Sequence, residues 1–322
     1  MSTEFTFSAS VPEMLSGKRL DQALAIMCPE HSRSRITSWI KEGYVTLNNL
    51  SCDQPKSKVA SGDIVHISAY ISDAISMEPE AISLNIVYED EAVFVINKQA
   101  GMVVHPAAGN PSGTMLNALL HHCPELIKIP RAGIVHRLDK GTTGLMMVAK
   151  TLQAHTSLVS QLQARSVKRV YNAIVSGQPK RQMGTIDAPI GRDPYNRIKM
   201  AVLHSPEAKV AITHYKVLEP LTSAALVECK LETGRTHQIR VHMAYLGHPL
   251  IADETYTGRQ RYPGGLDKLQ RSSIDEFARP ALHAKQLTFV HPSTNASMTF
   301  ESEYPDDFSK LLTSLKFNTL ES

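Results

Sequence analysis

From Ile86 to about Tyr304 the chain is built of short runs of branched and aromatic residues separated by turn formers, and few stretches carry helical spacing. Such runs read as strands, because those side chains pack well on a pleated surface. Val87-Tyr88 and Val93–Ile96 flank the polar turn Glu89-Asp90-Glu91. Val170–Val175, Ala211–Tyr215, Ala225–Leu231, Leu287–His291 and Ser297–Glu301 are further candidates. Helices are predicted at Thr114–His122, Gln153–Ala164 and Thr236–Leu246. Strands that mostly follow one another argue for an α+β fold, a largely antiparallel mixed sheet with flanking helices, and against a doubly wound parallel one.

The N-terminal part has a different texture. Residues 1–15 read as an extended lead-in. Leu20, Leu24 and Met27 then recur at helical spacing until Pro29, and Ile36, Trp39 and Ile40 share one face of a second helix that Gly43 stops. Val45–Leu47 is a strand followed by the turn Asn48-Asn49, and Gly62-Asp63 turns the chain into a strand over Ile64–Ile67. This predicts a small α/β domain over 17–70, a Ser-, Ala- and acid-rich linker over 71–84 and a second domain over 85–322. Lys18, Arg19, Arg33, Arg35 and Lys41 lie in the first turns and loops of the small domain. Charge alone fits a solvated helix face as well as a phosphate-binding one, but a helix N-terminus beside Arg33 and Arg35 favours anions.

Composition narrows the classes. A net charge of +3 permits nucleic acid without requiring it. Cys28, Cys52, Cys123 and Cys229 are scattered and form no C-x-x-C pair, so a zinc ribbon or disulfide framework is not expected. No signal peptide is visible, and no run approaches the roughly 18–20 apolar residues of a membrane span, so a soluble cytoplasmic protein without membrane contact is expected. Phosphate-binding and dinucleotide-binding glycine loops are absent, as is a G-x-S-x-G elbow. His237 and His242 are five apart, too far for one metal-binding helix face, and no metal site is predicted.

Three stretches carry chemistry. In Gly133–Lys150 two apolar runs bracket His136-Arg137-Leu138-Asp139-Lys140, which sets a carboxylate between cations in a glycine-bounded loop. A charged turn between buried strands would look similar. In Leu231–Ala244, Thr236 reads as a helix N-cap that shares a polar face with Arg240, and the helix would hold Arg240 rigidly. In Lys168–Val175, strand alternation places Arg169, Tyr171 and Ala173 on one face; taken alone this fits a core strand, and Leu231–Ala244 fits an ordinary amphipathic helix.

Together, H-R-L-D-x-x-T-T-G, the K-x-Y-like strand and G-R-T-H-Q-I-R resemble the RluA family of pseudouridine synthases. Asn97–Pro106 and Arg279–Ala284 match its flanking motifs, and residues 17–70 resemble the αL RNA-binding domain of the fourth small-subunit ribosomal protein. Val104–Pro111 and Pro130–Val135 look like the RluD-type branch, although Gly141 stands where many relatives carry an acid. The resemblance implies the pseudouridine synthase fold and site-specific isomerisation of uridine in large-subunit (23S) ribosomal RNA, in an intersubunit hairpin loop. It implies Asp139, Tyr171 and Arg240 as catalytic residues, with Arg137 filling the space of the flipped base and Arg240 paired with Asp139. His136, Thr142, Thr143, Gly144, Arg235, Thr236 and His237 would bind substrate, and Lys18, Arg19, Arg33, Arg35 and Lys41 would bind RNA. No cofactor is implied. A monomer is expected, acting on ribosomal RNA or on an assembling subunit.

Two other readings compete. A ribosome-assembly protein could use the same basic module, though it needs no Asp139, Tyr171 and Arg240 set. A nucleoside or glycoside hydrolase would want two working carboxylates, for which Glu232 and Asp253 are available.

Overall fold

A computed structural model describes residues 3–316 apart from Glu30, Ser32, residues 72–76, Ala108, Arg197 and residues 259–261. The chain divides into two compact units between Ser76 and Met77.

The first unit opens with β1 (Thr3–Ser10), in the segment that reads as a lead-in. Helices α1 (Leu20–Met27) and α2 (Arg33–Lys41) follow, then β2 (Val45–Leu47), β3 (Leu50–Ser51) and β4 (Ile64–Ile71). The sheet order is β1-β4-β2-β3, with β1 antiparallel to the whole of β4. Asn48 and Asn49 both have positive φ, which matches a two-residue hairpin turn. Leu20, Leu24, Ile36, Trp39 and Ile40 bury their faces against Val45, Val65 and Ile67. Fully burying an aliphatic side chain of this size stabilises by about 1.5–3 kcal/mol.

The second unit contains β5 (Ile86–Glu89), β6 (Val93–Lys98), α3 (Met115–His122), β7 (Thr143–Ala149), α4 (Leu152–Gln163) and β8 (Lys168–Ser176). It continues with β9 (Met183–Asp187), β10 (Ile190–Arg192), β11 (Met200–Val202), β12 (Ile212–Leu221) and β13 (Ala224–Leu231). Helices α5 (Gln238–Tyr245) and α6 (Lys268–Phe277), strands β14 (Leu282–Val290) and β15 (Ser297–Glu301), and α7 (Asp306–Ser314) complete it. Part of the predicted linker belongs here: Asn117 on α3 donates to the Glu78 carbonyl at 2.9 Å, and Ile82 and Leu84 pack on the core.

The nine-stranded sheet runs β5-β6-β7-β14-β8-β13-β12-β9, with β15 on β14. Only β7 and β14 pair in parallel, at His283↔Thr143 and Ala284↔Gly144; all other pairs in the sheet are antiparallel. The α+β fold with a largely antiparallel mixed sheet is as expected. Helix α6 was not among the expected helices: its buried residues Gln270, Ile274 and Phe277 do fall at helical spacing, but the first of them is polar. Its signal was the capping pair Asp267 and Gln270, whose side chains bond each other's backbone N–H at 2.8 and 3.1 Å.

Two glycines clamp the segment that carries Asp139. A Cβ on Gly133 would stand 1.9 Å from the Ala149 carbonyl oxygen, and one on Gly144 2.3 Å from that of Ala284. Both have positive φ. Gly144→Ala is expected to push β7 off β14 and destabilise the unit by about 1–3 kcal/mol, read as a lowered denaturation midpoint. An unchanged midpoint would show that the two strands are not this close in solution.

Candidate active site

A cleft of about 830 Å³ opens on the loop that leads into β7. That loop supplies His136, Arg137, Asp139 and Thr142; β8 supplies Arg169 and Tyr171; the turn after β13 and helix α5 supply Arg235, Thr236, His237 and Arg240. Three stretches far apart in sequence therefore converge, because β7, β14, β8 and β13 are consecutive in the sheet.

Asp139 keeps about 20% of its side chain exposed, facing the cleft. Arg240 Nη1 lies 3.4 Å from Asp139 Oδ2, and His237 Nε2 lies 3.8 Å from the same oxygen. The expected Arg240–Asp139 pair is thus present but long. The stronger partner of Arg240 is Asp253, which accepts from Nε at 2.7 Å and from Nη2 at 2.8 Å. Asp253 is fully buried, and this two-pronged bond fixes the guanidinium plane. Burial alone would pull Arg240 down, but Asp253, then Asp139, outweigh it and hold it above the ordinary arginine value. Asp253 therefore serves Arg240 rather than standing as a second working carboxylate. Glu232, the other candidate for that task, pairs with His214 and Arg165 at 2.8 and 3.2 Å.

The turn before α5 departs from the expected helix start. Helix α5 begins at Gln238; Thr236 is an exposed residue of the preceding turn and does not share a helix face with Arg240. His237 occupies the N-cap position in the left-handed region at φ 56° and makes no side-chain cap. That conformation is strained for a non-glycine residue. Gln238 organises the turn instead. Its Oε1 accepts from Thr233 Oγ1 and the Arg235 N–H, while Nε2 donates to the Ile212 carbonyl and Thr213 Oγ1, all at 2.8–3.0 Å. His237 Nδ1 is 2.9 Å from the Tyr256 hydroxyl. Burial holds His237 below the ordinary imidazole value despite Asp139.

Tyr171 is buried at one wall of the cleft, opposite Cys229 on β13 and Ala284 on β14. Burial pushes its hydroxyl up; Arg169 opposes and Asp139 adds to the shift. The phenol therefore stays protonated at neutral pH.

Not every predicted contact faces the cleft. The Thr143 hydroxyl is 2.9 Å from His283 Nδ1, and His283 Nε2 is 2.8 Å from Ser302 Oγ, so Thr143 points into the unit's interior. Gly144 serves the close approach of β7 to β14 and does not line the cleft. The T-T-G signal thus divides: Thr142 lines the cleft, and its two neighbours hold the strand. His136 lines the cleft, but its Nε2 accepts the Met147 N–H at 3.1 Å, and burial first, then Arg169, pull it down to about 3. It stays neutral and latches the loop to β7.

Lys98 was present in a quoted motif without a role. Its ammonium is almost completely buried and donates to the carbonyls of Gln99, Met102 and Lys140 at 2.9, 3.0 and 3.2 Å. Burial pulls it down to about 8, with Asp139 opposing. It ties the Gly101 turn to the residue after Asp139. A lysine closing the strand that begins with the apolar run Val93–Ile96 was the available signal.

Buried neutral histidines set an acid limit. His283 is fully buried and pulled down to about 4, chiefly by burial. A folded value below the unfolded one gives stability that is complete above the ordinary 6.5 and lost as pH falls towards 4. His283 alone is expected to remove about 2–3 kcal/mol between pH 7 and 4.5. Urea denaturation at those two pH values measures this, and an unchanged midpoint would contradict the buried neutral His283.

In the small unit, Asp21 is 3% exposed and accepts from Arg19 at 2.9 and 3.0 Å and from Arg33 at 3.0 and 2.7 Å. Burial raises its carboxyl, but Arg33 and Arg19 outweigh this and hold it below the usual range. Both arginines are thereby held at half-exposed positions, while Lys18 and Lys41 are exposed and Arg35 is half-buried.

Among the described residues no cluster of three His, Cys, Asp or Glu could hold a metal, and no helix is long and apolar enough to cross a membrane. None of the four cysteines is in a disulfide.

A single carboxylate facing a cleft lined by cations is a site fitted to an anionic substrate such as a nucleic acid. The family model described as RNA pseudouridylate synthase matches residues 92–245, and the S4 domain model matches residues 18–65. The chain is 51% identical over 315 residues to ribosomal large subunit pseudouridine synthase D of Neisseria meningitidis, covering 98% of this chain and 83% of that one. It is also 51% identical to the Pseudomonas aeruginosa protein of the same name, over 98% of both chains. Human RNA pseudouridylate synthase domain containing 1 aligns in structure with a TM-score of 0.56 at 27% identity, over 74% of this chain and 89% of that one. The chain belongs to the RNA pseudouridylate synthase family and is a pseudouridine synthase.

Proposed function

We propose that the chain converts specific uridines to pseudouridine in large-subunit ribosomal RNA, within an intersubunit hairpin loop, and that Asp139 is the catalytic group. The observation that carries the chemistry is Asp139 at the cleft with Arg240 beside it, itself fixed by Asp253. The substrate reading rests on the relatives of about 50% identity, which are named as large-subunit enzymes.

In this reading a uridine leaves its stack and enters the cleft, at a cost of a few kcal/mol that is least in a loop. Asp139 attacks or activates the ribose, and the C1′–N1 bond breaks. The detached uracil turns within the cleft, C5 bonds to C1′, the C5 proton is lost and N1 regains a proton. The net change is an isomerisation. Tyr171 stacks on the uracil and helps remove the C5 proton. Arg240 orients Asp139, and Arg137, exposed at the rim, fills the place of the extruded base. Thr142, Arg235, Thr236 and His237 line the substrate space, and His136 supports it. Thr143 and Gly144 are not carried forward as substrate contacts, because they serve the strand.

The small domain docks RNA through Lys18, Arg19, Arg33, Arg35 and Lys41, and the catalytic domain begins at Met77, inside the stretch expected as a linker. A combined Lys18→Ala and Lys41→Ala variant is expected to bind RNA several-fold more weakly and with a shallower salt dependence. The chain works as a cytoplasmic monomer, on ribosomal RNA or an assembling subunit.

The test is pseudouridine mapping. Unmodified large-subunit RNA is incubated with the purified chain, without metal or cofactor, and carbodiimide-dependent reverse-transcription stops are located. Stops in one intersubunit hairpin loop support the whole reading. Stops elsewhere keep the reaction and overturn the site. Tight binding without stops, with assembling subunits also tried, favours a non-enzymatic assembly role.

A further inference from the structure

Arg169 is the cleft arginine whose surroundings are left incomplete. It sits on β8 two residues before Tyr171, lines the same cleft, and is only 8% exposed. Its Nε is buried without any hydrogen-bond partner, and its Nη2 reaches only the Glu232 carbonyl, at 3.5 Å. Among the described residues no carboxylate forms an ion pair with it. The contrast with its neighbours is direct. Arg240 has Asp253 and Asp139, and Arg165 has Glu232. Arg131, Arg137 and Arg235 are exposed and hydrated by solvent. A buried guanidinium without a counter-charge is expensive, because neither water nor a carboxylate replaces its lost hydration.

The surroundings keep Arg169 where it is. A Cβ on Gly234 would stand 2.6 Å from Arg169 Nη1, so the glycine backbone lies directly over the guanidinium. The nearest acids of the cleft are engaged elsewhere: Glu232 pairs with Arg165 and His214, and Asp139 faces Arg240 and His237. Such a guanidinium becomes favourable when an anion enters the cleft. An RNA substrate carries one kind of anion, the backbone phosphate.

We infer that Arg169 binds a backbone phosphate flanking the target uridine, so that the cleft grips the strand on one side of the flipped nucleotide while Asp139 faces its ribose. The inference rests on the proposed RNA substrate and adds the group that recognises it. Arg169 is a substrate-positioning residue in this assignment. Fixing one flanking phosphate sets where C1′ falls relative to Asp139, because the bridging O3′ is bonded directly to the ribose ring that carries C1′. Phosphates are also common to every RNA sequence, so the contact supplies register and affinity, and base choice lies elsewhere.

The experiment uses the full chain and a synthetic RNA hairpin in which the wild type forms pseudouridine. Arg169→Gln is expected to raise KM about tenfold and more than it lowers kcat, and to make the dependence of log Kd on log salt shallower by about 0.7–0.9, one phosphate's share. Arg169→Lys should restore most of both. Single methylphosphonates placed in turn around the uridine should include one that weakens wild-type binding about tenfold yet leaves Arg169→Gln unchanged. A lowered kcat with an unchanged salt slope would assign Arg169 to the base and overturn the proposal. If Arg169→Gln does not fold, the methylphosphonate series on the wild type decides, and no sensitive flanking phosphate overturns it. A wild type that modifies no RNA brings down the functional reading and this inference together, whereas wild-type turnover with no effect of any of these changes brings down the inference alone.

Discussion

Asp139→Asn is expected to reduce pseudouridine formation by at least about 10³-fold while RNA binding and the folded state survive. The substitution keeps the size of the side chain and removes its negative charge and its nucleophilic oxygen. Little else depends on that carboxylate. Its contacts with Arg240 and His237 are long, at 3.4 and 3.8 Å, and Arg240 retains both of its bonds to Asp253. The loop is held by other groups: Gly133 and Gly144 press against Ala149 and Ala284, and Lys98 bonds the Lys140 carbonyl. A melting temperature close to that of the wild type should therefore accompany the loss of turnover. Measurable turnover by Asp139→Asn in single-turnover assays would remove Asp139 from the mechanism. A collapse of the fold would show instead that its contact with Arg240 matters more than 3.4 Å suggests.

Asp253→Ala should have the largest effect on stability. Asp253 is fully buried, and its removal leaves the Arg240 guanidinium, with 8% side-chain exposure, bonded only weakly to Asp139. Breaking a buried pair from one side costs about 3–5 kcal/mol, because the remaining charge is neither hydrated nor paired. Turnover should fall as well, since Arg240 is then free to turn fully onto Asp139 or out of register with it. Asp253→Asn separates the two effects. It can still accept the Thr255 N–H bond, at 3.1 Å in the wild type, but supplies no charge to Arg240. Denaturant unfolding gives the stability change, and pseudouridine assays below each variant's melting range give the activity change. Wild-type stability in Asp253→Ala would mean that Arg240 and Asp253 are not a buried pair in solution.

The sequence alone went far for the chemistry. Asp139 could be singled out because a carboxylate among cations between apolar runs is a local pattern, whereas Arg137, Tyr171 and the G-R-T-H-Q-I-R turn stood out only through the family resemblance. Strand alternation also placed Arg169 and Tyr171 on one face of β8, and both line the cleft. Most strands were legible for the same reason: period-two burial leaves its mark on neighbouring residues. Three things needed the tertiary structure. The first is the role of Asp253, thirteen residues beyond Arg240 and marked by no spacing, which depends on a turn folding back over α5. The second is the division of Thr142, Thr143 and Gly144 between substrate space and strand packing, decided by the parallel approach of β14, which arrives 140 residues later. The third is the isolation of Arg169, which exists because the turn around Gly234 closes over it while the nearby Glu232 carboxylate pairs with Arg165 and His214. Residue type and local period are properties of neighbouring positions in the chain. Which charge is buried, and against what, is a property of elements that meet only when the sheet is assembled.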